Sequence, residues 1–197
     1  MKEDKDTRLR LLEAALEQIW KSSYSSVGIV QICNEAQTTK GSFYHFFKSK
    51  SDLAIAALDE HWNQTRSEFD RAFAPDRAPV EQVAAFCQQT IKSQLAHRQE
   101  DGCVLGCPFF TTGMESAALE ESVQKAVDRI VENETSYFTR LAREIGGSRF
   151  PDELAAADGG KTMFAFVQGV LAMARVQDDV GLIERVLQPG LMRLAGL

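Results

Sequence analysis

Between Ser26 and Leu53 the chain reads SVGIVQICNEAQTTKGSFYHFFKSKSDL, with hydroxyl, aromatic and basic side chains crowded at its middle. Thr38, Thr39, Ser42 and the Tyr44 hydroxyl are of a kind that donates to phosphate oxygens. Lys40 can reach a phosphate or a guanine edge, where a good contact contributes about 1–3 kcal/mol of discrimination between bases. His45 extends the same polar surface, and Gly41 leaves room for a backbone to approach closely. Lys48 and Lys50 stand where they could clamp the flanking backbone, and Tyr24 and Ser26 lie before the second helix, where backbone contacts could form. The chemistry these residues share is contact with a double-stranded polyanion.

A second chemical feature is the cysteine pair of DGCVLGCPFF. If Pro108 is the first residue of a helix, Cys107 takes the cap position, where backbone amides stabilise a thiolate. Cys103, four residues earlier, could then act as nucleophile or resolving partner. The alternative is that both are small buried apolar residues. Cys33 fits the inner face of a helix, and Cys87 is read as structural too. His45, His61 and His97 lack zinc-ligand spacing relative to the pair, so neither metal nor cofactor is expected.

Charge points the same way as the first motif. The net charge of −6 argues weakly against nucleic acid, but its distribution is uneven. Residues 1–50 hold eight Lys/Arg against six Asp/Glu, a balance of +2; residues 51–197 hold fourteen against twenty-two, a balance of −8. Only the first quarter is suited to a polyanion. No apolar run approaches the roughly 20 residues a membrane helix needs. The charged start, MKEDKDTRLR, is unlike an export signal. A cytoplasmic location, no membrane partner and reduced cysteines are therefore expected.

The elements that must position these residues are helical. Leu9, Leu12, Leu16, Ile19 and Trp20 mark an amphipathic helix from near Lys5 that ends between Lys21 and Ser25. Ile29, Ile32, Cys33 and Ala36 give a second. Thr38 or Thr39 caps a third that runs to about Phe47, with Phe43 and Phe47 inward and Lys40, Ser42, Tyr44 and His45 outward. Ser49 or Ser51, with Asp52, opens a long fourth helix. Further helices follow around Val83–Leu95, after Pro108, from about Leu119 to Ile145, over Met163–Val176, and from Val180 to Leu194, where Pro189 should introduce a bend. The expectation is an all-α chain of about nine helices, without strands or repeats. Residues 1–50 would form a helix-turn-helix domain, and 51–197 an effector-binding and dimerisation domain.

The segment TKGSFYHFFKSKSDL resembles the DNA-reading motif of the tetracycline-repressor (TetR) family of bacterial transcription regulators. In that family the residues matching Thr39, Lys40, Ser42, Tyr44, His45 and Lys50 commonly touch DNA. Many members carry His where Phe46 stands, and Phe46 cannot donate to phosphate. The resemblance implies operator DNA as partner, a small-molecule inducer of unknown identity, and a homodimer paired through a four-helix bundle. The Gly-Cys placement, together with KGSFYHFF, is similar to a subgroup that includes electrophile- and redox-responsive repressors.

One reading unit makes few, salt-sensitive contacts, so two held about one DNA turn apart are expected. The apolar residues Phe164, Val167, Val170, Leu171 and Ala174, with Leu182, Val186, Leu187, Leu191 and Leu194, are candidates for a symmetric interface. Phe86, Phe109, Phe110, Met114, Phe138, Met163 and Phe166 could line an effector cavity. Two other functions compete with the repressor: a helical thiol oxidoreductase using Cys103 and Cys107, and a dimeric interaction protein that no longer binds DNA. Against the first, the pair is spaced CxxxC rather than CxxC and no strand-bearing redox fold is visible.

Overall fold

The computed structural model describes residues 2–115 and 120–197, and these form nine α-helices and no strand. They are α1 (Lys2–Lys21), α2 (Ile29–Glu35), α3 (Lys40–Phe46), α4 (Lys50–Ala72), α5 (Pro79–Glu100), α6 (Pro108–Gly113), α7 (Glu121–Ile145), α8 (Glu153–Gln177) and α9 (Val180–Ala195). The expected helix start at Leu119 lies outside the described residues. Packing groups the chain into two compact units that do not follow chain order: Met1–Gln64 with Pro108–Val131, and Thr65–Cys107 with Glu132–Leu197.

The first unit closes on one apolar cluster. Leu11, Leu12 and Ala15 of α1 meet Ile32 and Cys33 of α2, Phe43 of α3, Phe47, and Leu53 and Ala57 of α4. Each large side chain buried this way contributes about 1.5–3 kcal/mol. Leu9, expected on the inner face, is 40% exposed, because the buried stripe of α1 runs through Leu11, Leu12, Ala15 and Ile19 instead. The turn between α2 and α3 places Gln37 in the left-handed region (φ 50°), and Thr38 N–H donates to Cys33 O at 2.9 Å. Ser49 caps α4 by accepting from Asp52 N–H at 3.0 Å, while Lys48 N–H donates to the Asp52 carboxylate at 3.2 Å.

The second unit has an aromatic interior in which Phe73, Phe86 and Phe138 meet with ring centroids 5.1–5.6 Å apart. Gly160 of α8 lies against Thr139 of α7 so closely that a Cβ there would stand 2.6 Å from the Thr139 backbone nitrogen. Pro79 opens α5, and Glu81 reaches back to accept from Ala78 N–H at 3.0 Å. Asp152 caps α8 through Ala155 N–H at 2.8 Å. Helix α9 runs from Val180 to Ala195 with Pro189 inside it. No helix of the described residues is long and apolar enough to cross a membrane.

Candidate functional site

Helix α3 separates its two faces cleanly. Phe43 is fully buried and Phe47 5% exposed, and they anchor the inner side. Thr39 caps the helix: its Oγ1 accepts from Ser42 N–H at 3.1 Å and lies 3.1 Å from the Ser42 hydroxyl. Lys40, Gly41, Tyr44 and His45 are exposed, Tyr44 by 58%, while Thr38 and Ser42 are half-buried. A Cβ at Gly41 would meet only Thr39 Oγ1, at 3.6 Å, so its outer side is open. The Tyr44 ring stands edge-on to Phe43 at 5.0 Å, which turns its hydroxyl outward from a fixed base. Phe46 is half-buried and packs on the apolar cluster instead of facing outward.

Ser26 and Lys48 are exposed, but Lys50 is occupied. Its ammonium donates to Tyr24 O at 2.8 Å and Val27 O at 3.1 Å, and sits 4.1 Å from the Tyr24 ring centroid. Lys50 thus ties the start of α4 to the turn between α1 and α2. The sequence reading of Lys50 as a strand clamp did not include these two carbonyls, which are more than twenty residues away in the chain.

That turn is gripped from another side as well. Glu115, beyond α6, accepts from Tyr24 N–H at 2.7 Å, from Ser25 N–H at 3.0 Å, and from the Ser25 hydroxyl. Burial would raise its pKa; the Ser25 and Tyr24 donors and the nearby Lys50 outweigh that and hold it below the usual carboxylate range. The Tyr24 hydroxyl donates to Glu120 at 2.9 Å, and Ser51 also bonds Glu120, holding that carboxyl low. Burial first, and Glu120 second, push the Tyr24 phenol above its ordinary range. Tyr24 is 3% exposed, so it is a structural post of the reading unit.

The cysteine loop, residues 102–107, is held by four side chains of the second unit. Gln94 donates to Gly106 O at 3.1 Å and accepts from Gly106 N–H at 2.9 Å. Arg98 donates to Gly102 O at 2.6 Å and pairs with Asp178, which accepts from Val104 N–H at 3.0 Å. Arg175 donates to Leu105 O at 2.7 Å. Gly102 and Gly106 have φ of 77° and 72°, values that L side chains rarely adopt. Cys103 and Cys107 are half-buried, and Pro108 is the first residue of α6, so Cys107 directly precedes that helix. No disulfide joins the described cysteines. Cys33 and Cys87 are buried, and burial drives the Cys87 thiol up to about 12.

The residues expected to line one effector cavity fall in both units. Phe86 and Phe138 belong to the ring cluster of the second. Met163 is buried beside a pocket of ≈ 240 Å³ with Arg149, Phe150 and Thr162, and Phe166 lies against Gly190. Phe109 is core in the first unit, 5.5 Å from the His61 ring and 6.4 Å from Trp62; Phe110 is half-buried and Met114 is 63% exposed.

The expected interface residues Phe164, Val167, Val170, Leu171, Ala174, Leu187 and Leu191 are buried within a single chain, and Leu182, Val186 and Leu194 are half-buried. Seven of these ten side chains are therefore core of the single chain, Phe164 against Phe138 of α7, while Leu182, Val186 and Leu194 keep part of their surface exposed. The outer face of α8 instead exposes Ala165, Gly169, Met173 and Val176.

Sequence reasoning missed Glu115, Glu120, Gln94, Arg98, Arg175 and Asp178. Only Asp178 carried a local signal, as one of an Asp-Asp pair between two apolar helices.

Residues 11–57 match the model of bacterial regulatory proteins of the tetR family, and residues 79–188 match the C-terminal domain model of LmrA/YxaF-like transcriptional regulators. The chain is 29% identical over 154 residues to the transcriptional regulator AcuR of Cereibacter sphaeroides, covering 75% of this chain and 68% of that one. It is 26% identical over 125 residues to the repressor NemR of Escherichia coli, covering 63% and 61%. In fold it is similar to reduced Escherichia coli NemR, with a TM-score of 0.80 at 21% identity over 95% of this chain and 96% of that one. A Streptomyces coelicolor regulator gives 0.80 at 24% identity over 98% and 95%. TetR-type transcriptional regulators are not enzymes, which removes the thiol oxidoreductase reading. With both its reading segment and most of its remaining helices matched, this chain belongs to the TetR family of transcription regulators.

Proposed function

We propose that the protein is a homodimeric repressor that binds operator DNA through α3 and is released by a small-molecule effector or by modification of Cys103 or Cys107. The observation that carries the reading is the outward face of α3: Lys40, Tyr44 and His45 are exposed beside a capped helix start, on a helix fixed from behind by Phe43 and Phe47. Thr38, Thr39, Gly41 and Ser42 border this face, with Ser26 and Lys48 flanking it. Phosphate contacts position such a face, and Lys40 is the side chain best suited to read a base edge. Residues 1–50 carry the DNA contacts, and 51–197 the effector and dimer functions.

Dimerisation is supported by the run Ala165, Gly169, Met173 and Val176 on α8. Its spacing of four, four and three makes a narrow apolar stripe, and small residues at its start let a symmetry-related helix come close. Modification of the cysteines is supported by their partial exposure on a loop whose backbone bonds fix where each thiol sits. A bulky adduct there would have to displace that loop.

A gel shift with the DNA upstream of the protein's own coding region, alone and after alkylation with N-ethylmaleimide, tests this reading. Retarded DNA that is released on alkylation, and retained by a Cys103→Ser/Cys107→Ser variant, is the expected result. Genome-wide capture of bound DNA that recovers no enriched site would make the chain an interaction protein instead. A monomer in light scattering at micromolar concentration would remove the dimer.

A further inference from the structure

The interior of the second unit is lined with rings: Phe69, Phe73, Phe86, Tyr137, Phe138 and Phe164 form a connected series with neighbouring centroids 5.1–6.4 Å apart. Two polar side chains interrupt this apolar setting. Glu134 is 5% exposed and Gln168 3%. Their oxygens Glu134 Oε2 and Gln168 Oε1 are buried and accept no hydrogen bond among the described residues.

The helix register sets the two on one side of a shared contact. Gly160 of α8 abuts Thr139 of α7, while Phe164 meets Phe138 at 6.0 Å, so the helices run antiparallel here. Glu134 lies one turn before Phe138 and Gln168 one turn after Phe164. Both residues therefore lie on the same side of the Phe138–Phe164 contact along the two helices.

A buried acceptor without a donor is costly, and leucine or methionine at both positions would avoid that cost. Gln168 Oε1 is an acceptor, and Glu134 Oε2 becomes one once the carboxyl gives up its proton, so a group that completes both must bring donors and take that proton. The rings beside them favour a cation, because their faces are negative. Among the described residues no basic side chain offsets the acid: burial pushes the Glu134 carboxyl up to about 8.

We propose that Glu134 and Gln168 form the polar end of a binding site for a small organic amine, an ammonium head on an apolar or aromatic body, held between α7 and α8. The head donates to Glu134 Oε2 and Gln168 Oε1, and the body lies among the rings. An amine that enters neutral takes the carboxyl proton, leaving carboxylate and ammonium; one that enters charged displaces that proton to water. The proposal names the chemical class of the effector in the repressor reading and rests on that reading for its regulatory meaning.

The test uses the full-length protein and three matched series: arylalkyl amines such as phenethylamine, the alcohols with the same bodies, and the carboxylates. Binding is read by calorimetry and thermal shift, without DNA. Amines are expected to bind and raise Tm, alcohols to bind more weakly, and carboxylates not to bind. Glu134→Gln should weaken the amines by about 10- to 100-fold, the value of a charge-assisted hydrogen bond, and leave the alcohols nearly unchanged. Gln168→Met should weaken both amines and alcohols by about tenfold, and it decides the matter if Glu134→Gln fails to fold. Amines that bind no better than carboxylates, or whose affinity both variants leave intact, would overturn the site. DNA binding by the unliganded protein is measured separately. Its absence alongside normal amine binding would sink the repressor reading and leave the site standing.

Discussion

The outer face of α3 and the 102–107 loop hold their polar groups in opposite ways. On α3, the Lys40, Tyr44 and His45 side chains stand in solvent, and only the cap residues Thr39 and Ser42 bond each other. Along the loop, backbone groups of Gly102, Val104, Leu105 and Gly106 are each taken by a side chain from α5, from α8 or from just beyond it. The first arrangement leaves donors available for a partner. The second uses hydrogen bonds to fix a backbone carrying two thiols. Lys50 shows that residue type does not decide between the two: the same ammonium that would suit a phosphate is engaged by two carbonyls.

The largest effect should come from the interior acid, whose outer oxygen is buried without a protein donor among the described residues. The folded-state pKa of Glu134 is raised to about 8 from an ordinary 4.5. Between those values the folded chain keeps a proton that the unfolded chain has lost. Stability should therefore fall as pH rises across this window, by up to about 1.4 kcal/mol per pH unit, and level off above it. Denaturant unfolding of Glu134→Gln from pH 5 to pH 9 should lack that slope, and the variant should be the more stable one at the alkaline end.

Breaking the loop comes next. Gln94→Leu strands the N–H and C=O of Gly106 in a buried place and should cost about 3 kcal/mol in chemical denaturation. It should also change the rate at which N-ethylmaleimide labels Cys107, since the loop would no longer hold one geometry. An unchanged labelling rate would mean that the remaining three side chains suffice.

The two lysines sharpen the comparison. Lys40→Ala should weaken operator binding by about 1–3 kcal/mol if it reads a base edge, and shift unfolding by less than about 0.5 kcal/mol. Lys50→Ala should do the reverse first, lowering stability by about 1–2 kcal/mol through loss of two carbonyl bonds and the Tyr24 ring contact. Any loss of DNA affinity would follow from loosening the α1–α2 turn, and a second-site change that restores stability should restore it. The smallest effect is Tyr44→Phe: about 1 kcal/mol in DNA affinity, equal for operator and random sequence if the hydroxyl meets phosphate, with stability unchanged.

Local sequence determined much of this protein. Phe43 and Phe47 at a spacing of four, with Lys40, Tyr44 and His45 between and around them, specify which side of α3 is buried, because helical periodicity acts over a single turn. Caps such as Thr39 and Ser49 and stops such as Gly146 and Gly147 are equally local, so helix order and the outward side of α3 were legible from residue order. Tertiary structure alone decided that Lys50 is tethered, that Glu115 grips a turn 91 residues away, and that Asp178 secures Val104 from 74 residues along the chain. It also decided that most of the α8 and α9 residues whose apolarity suggested a partner are buried within one chain. Hydrophobicity says that a side chain will leave water; which surface receives it depends on how distant helices pack, and no local spacing encodes that.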